Sequence, residues 1–95
     1  MARDQETITA GSGSFVQLTN GNVTRISFQV ISGMAYIHFT AGETPPDDDA
    51  EGWLYKEGEG ELNKLLSDLT NLSGANRVWA RGLTDVGANV QVDHA

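Results

Sequence analysis

The chain has 95 residues, no cysteine and a formal net charge of −7, which fits one domain and excludes disulfides or thiolate–metal sites as reinforcement of a small core. Six basic residues against thirteen acidic ones oppose a role in wrapping nucleic acid, where affinity comes from neutralising phosphates. A hydrophobic share of 39% and a charged share of 20% belong to a globular rather than a disordered chain. No apolar run nears the roughly 18 residues of a membrane span, and no signal-like apolar stretch follows Met1.

Residues 1–14 read as a flexible N-terminal arm that closes on Gly-Ser-Gly-Ser at 11–14 and carries one short extended piece at Glu6–Thr9. Such an arm is either frayed or ordered only against a neighbour. Residues 15–95 read as a single β domain. Residues 14–18 form a short strand, and Asn20-Gly21 is a turn signal. From Val23 to Ile31 the side chains alternate, with Thr24, Ile26, Phe28 and Val30 on one side and Arg25, Ser27 and Gln29 on the other. Ser32-Gly33 turns the chain into Met34–Thr40, where Ala35, Ile37 and Phe39 oppose Met34, Tyr36 and His38. Two period-2 segments joined by a two-residue turn predict a hairpin.

Residues 41–61 hold both prolines and eight of the thirteen acidic side chains. This segment reads as a long loop with a short strand at Trp53–Lys56. Leu62, Leu65, Leu66, Leu69 and Leu72 then recur at helical spacing, with Glu59 and Glu61 near the positive end of the expected helix and Gly74 placed to stop it. Two further strands are expected at Arg77–Arg81 and Ala88–Asp93, with a turn at Asp85–Gly87. The sum is a mainly β chain: a small antiparallel β-sandwich or partly open barrel with one short α-helix.

Candidate chemistry is sparse. Asp47, Asp49 and Glu51 alternate and precede Gly52, as in the start of a calcium loop. Gly58 occupies the place of the closing glutamate, so the segment reads first as a solvated acidic turn and only weakly as a metal site. His38 and His94 lack a second ligand at metal spacing. The Gly-Glu repeat at 57–61 would repel a phosphate, and no nucleophile elbow is present. The sequons at Asn22 and Asn71 read as chance matches. No cofactor is expected. Arg77, Trp79 and Arg81 share one strand face, which Tyr36 and Met34 can join. They make either a cation–π cluster open to a partner or a core tryptophan with snorkelling neighbours. Trp53 and Tyr55 are candidates to stack on a sugar ring.

The stretch from Phe39 to Ala95, above all Ser73-Gly74-Ala75-Asn76-Arg77-Val78-Trp79-Ala80 and the His94-Ala95 ending, resembles a module of small proteins encoded among the virion genes of tailed bacteriophages. The likeness spans roughly residues 15–95. It implies a non-enzymatic structural protein located in the virion, whose partner is the major capsid protein or another virion protein. Within that class the resemblance points to a head decoration, or cement, protein, with a fibre or baseplate component as the alternative. Self-association, as in a trimer, is part of this expectation, and neither nucleic acid nor membrane is an expected partner. Eight acids fall between Glu43 and Glu61, whereas Arg25, Lys64, Arg77 and Arg81 fall on expected strands or the helix. The expected domain is therefore polarised.

Overall fold

A computed structural model describes residues 3–94. Eight strands run in chain order as β1 (Arg3–Ala10), β2 (Val16–Gln17), β3 (Arg25–Ser32), β4 (Ala35–Thr40), β5 (Trp53–Tyr55), β6 (Gly60–Leu65), β7 (Arg77–Gly82) and β8 (Ala88–His94). A four-residue helix, α1 (Leu66–Leu69), lies between β6 and β7. They build two antiparallel four-stranded sheets, β1-β8-β3-β6 and β2-β7-β4-β5.

The pairing is nested. The first strand pairs with the eighth, the second with the seventh, the third with the sixth and the fourth with the fifth. This long ribbon is then rolled so that β3 also joins β8 and β4 joins β7. That connectivity is a jelly roll, two sheets packed face to face rather than a barrel closed on itself. The core lies between the sheets, where the alternation of β3 and β4 delivers Ile26, Phe28 and Val30 against Ala35, Ile37 and Phe39. Val78, Ala80, Val90 and Val92 complete it. Burying each larger side chain contributes about 1.5–3 kcal/mol relative to exposure.

Three expectations need correction. First, β3 and β4 do not form a hairpin, because they belong to different sheets. Ser32-Gly33 is a corner that carries the chain from one sheet to the other. Gly33 has φ +78°, and a Cβ there would lie 2.5 Å from the Gly87 carbonyl oxygen of the neighbouring corner. A tight turn signal is common to hairpins and to such corners.

Second, the expected leucine helix is mostly strand. Gly60–Leu65 pairs with β3, and the register shifts between Ile26 and Phe28 where Asn63 takes φ +51°. This bulge breaks the period-2 pattern, so the leucines fall at spacings that imitate a helix. Leu62 is 77% exposed, and of the expected apolar stripe only Leu66 is buried.

Third, Arg3–Ala10 is a strand of the domain rather than a flexible arm. Its order comes from its own β8, along a register running from Arg3 opposite His94 to Ala10 opposite Ala88. Ala10 is fully buried and Ile8 packs on the core. Only these two apolar side chains face inward, too few for a clear alternation.

Sheet edges are guarded against chance pairing. β2 and β5 have two and three residues, while β1 and β6 each carry an irregularity in register. At the far end of β8, His94 is buried and its Nε2 accepts the Asn20 N–H at 3.1 Å. The penultimate residue thereby fixes the turn between β2 and β3.

Candidate functional site

Two surfaces contain the residues singled out in the sequence. The first is the outer face of the β2-β7-β4-β5 sheet. Strand alternation turns Arg77, Trp79 and Arg81 of β7 away from the core that Val78 and Ala80 fill. Tyr36 stands opposite Arg81 and His38 opposite Trp79 across β4, so the four expected partner-binding residues Tyr36, Arg77, Trp79 and Arg81 do meet on one face.

Their contacts differ from the expected cluster. The Arg81 guanidinium lies 5.4 Å from the Phe15 ring centroid and 5.0 Å from that of Tyr36, so the rings it meets are Phe15 and Tyr36 rather than Trp79. Phe15 in turn lies 5.6 Å from the His38 ring. His38 Nδ1 donates to the Glu51 carbonyl, which ties the acidic loop to the sheet. Arg77 donates to Asn22 Oδ1 and to Gln17 Oε1, both at 3.1 Å.

Trp79 is only 5% exposed, although it points away from the inter-sheet core. Its indole N–H donates to Thr40 Oγ1 at 2.8 Å. Trp79 is therefore packing material of a second, smaller layer on the outer face, and not an open anchor. Arg77, Arg81 and Tyr36 are half-buried in the same layer. Strand alternation identifies the face but not whether a loop covers it, which is why Phe15 escapes a sequence reading.

The second surface is the neighbouring edge of the same sheet, where β5, paired to β4, meets β6 and α1. Trp53 is 67% exposed, and Leu54 and Leu72 are 41% and 46% exposed. Trp53 and Tyr55 line an open cleft of about 520 Å³ with Leu54, Leu69, Glu59 and Glu61. Tyr55 leans into the sandwich, its ring edge-on to Phe28 with centroids 5.1 Å apart, while its hydroxyl donates to Glu61 Oε2 at 3.2 Å. Burial, and then the Glu61 and Glu59 carboxylates beside it, push the Tyr55 phenol from 10.0 up to about 12. Glu59 accepts the Lys56 N–H at 2.7 Å and so shapes the turn that leads into β6.

Glu59 and Glu61 are cleft-lining residues that the expected helix hid. Glu61 lies in β6 and Glu59 just before it, and both line the cleft, a placement that period 2 would have given. Asp47, Asp49 and Glu51 are all exposed, and among the described residues no group of three histidine, aspartate or glutamate side chains converges as a metal-binding set. Among the described residues no helix is long and apolar enough to cross a membrane.

Compared with known proteins, the chain matches no family model, no curated protein and no solved structure.

Proposed function

We propose that this chain is a non-enzymatic structural component of a tailed-bacteriophage particle, a decoration protein that binds the outside of an assembled shell and fastens neighbouring subunits. The observation that carries the reading is the exposed Trp53 edge: a 67% exposed tryptophan that shares two clefts with the exposed Leu72 on a chain of 95 residues. A large apolar group left in water on so small a domain marks a contact surface. The jelly roll agrees with this role, since that architecture recurs in viral capsid and lectin domains. A fold does not assign function, so the sequence resemblance over residues 15–95 supplies the virion context.

In this reading the partner is the major capsid protein or another virion protein. The two-layer sandwich acts as a rigid bridge, and its thin core is supported by docking, because binding to the folded form adds to stability. The charge of −7 keeps the domain away from phosphate backbones. Self-association as a trimer around the shell's symmetry axes belongs to the same proposal. The test is heat challenge of particles with and without the protein. Particles lacking it release their contents at lower temperature, and purified protein restores them. Unchanged heat resistance overturns the reading.

One observation favours a second reading, a fibre or baseplate component that contacts host carbohydrate. Trp53 and Tyr55 line the same open cleft with two carboxylates, the mix of apolar ring and polar groups that sugar sites use. Loss of the protein would then change host adsorption and leave particle stability intact.

A further inference from the structure

Three clefts share Trp53 as a lining residue. One holds Glu59 and Glu61, the second Glu51 beside Leu72, and the third Asp68 beside Leu69 and Leu72. Four acidic residues thus border an apolar floor, and among the described residues no lysine or arginine lines any of the three clefts. Among the described residues the single basic-type side chain there is His38, whose Nδ1 donates to the Glu51 carbonyl.

We infer that this edge docks a basic, partly apolar segment of a partner protein, with an arginine or lysine of the partner set over the Trp53 indole and leucine-like side chains on Leu69 and Leu72. Charge complementarity selects the occupant. A cation on the ring face gains from its quadrupole, and the surrounding carboxylates strengthen that gain while repelling acidic partners. The apolar lining continues from Trp53 through Leu69 and Leu72 across three adjoining clefts, which suits an extended chain with alternating apolar and basic side chains better than one sugar ring. The inference deepens the decoration reading, on which the identity of the partner as a virion protein rests. It moves the docking surface from the Arg81–Trp79 face to the adjoining β5 edge.

The experiment uses the full chain and two synthetic peptides, one alternating leucine with arginine and one alternating leucine with glutamate, followed by tryptophan emission. The basic peptide saturates and shifts the emission. The acidic peptide does not. Trp53→Phe abolishes the shift and leaves the emission of the buried Trp79. Glu59→Gln combined with Glu61→Gln keeps the hydrogen bonds those side chains accept while removing two charges, and weakens binding by about tenfold. Raising salt from 0.1 M to 1 M shortens the screening length from about 10 Å to about 3 Å and weakens the wild type more than the double variant. Equal binding of both peptides overturns the inference, as does a shift produced by an N-acetylglucosamine hexamer in place of the basic peptide. The two proposals fail separately. A Trp53→Ala chain that still decorates shells sinks this surface alone, whereas a chain that takes the basic peptide yet is missing from shells sinks the decoration role alone.

Discussion

The Arg81 guanidinium lies 5.0 Å from the centroid of the Tyr36 ring, directly across the β4–β7 register. Phe15 lies 5.4 Å from the same guanidinium, so the arginine meets two aromatic rings, and its Nη1 donates to the Ser12 carbonyl at 3.4 Å. A residue that looks like a free cation in the sequence thus secures residues 11–15 to the outer face. Arg81→Ala is expected to cost about 1–3 kcal/mol. Arg81→Met, which keeps the stem but not the charge, should cost less. Urea unfolding of the two variants measures the difference, and equal losses would mean that the charge contributes nothing.

Trp79 provides the second test. Truncation to alanine in a buried site costs about 3–5 kcal/mol, while Trp79→Phe loses mainly the bond to Thr40, about 1 kcal/mol. In the Trp53→Phe chain, the remaining indole should resist quenching by acrylamide, since Trp79 is 5% exposed. Ready quenching would show that the outer layer is open.

Deletion of residues 1–10 separates a strand from an arm. Removing β1 uncovers β8 along six paired positions and strips Ile8 and Ala10 from the core. Stability should fall by at least about 2 kcal/mol, with a rise in aggregation from the bared strand. A truncated chain as stable as the whole would contradict the β1–β8 pairing.

Tyr55 makes the stability of the fold alkali-sensitive. Its folded-state value of about 12 exceeds the ordinary 10.0, so the folded chain keeps the phenol proton to higher pH than the unfolded chain does. The contribution is fully present below pH 10 and is lost as pH rises through 10 towards about 12. Tyr55→Phe should be less stable at pH 7 by about 0.5–1.5 kcal/mol, for the lost bond to Glu61. It should also decline less steeply above pH 10. Thermal melts of both chains at matched pH values provide the comparison.

Particular residues explain how far a sequence reading reaches. Alternation in Ile26-Phe28-Val30 and in Ala35-Ile37-Phe39 announces strands whose inner faces are the core, and the structure buries all six. Nothing local distinguishes a hairpin from a sheet-to-sheet corner at Ser32-Gly33, because the choice depends on β8 and β7 arriving some fifty residues later to claim β3 and β4. The bulge at Asn63 shifts the leucines out of strand phase, so Glu59 and Glu61 looked like helix-starting acids and not like cleft walls. At the outer face, residues 77–81 alternate as expected, yet Phe15, far away in sequence, buries Trp79's neighbourhood. Exposure of Trp53 and burial of Trp79 are tertiary facts, and composition treats the two tryptophans alike.

The most direct measurement of the central claim is the copy number of the chain in purified virions, by quantitative mass spectrometry against the major capsid protein. Decoration of the shell requires a fixed ratio to the shell subunits, with the chain among the abundant virion proteins. A minor component confined to tail fractions, or a chain missing from particles, would contradict it.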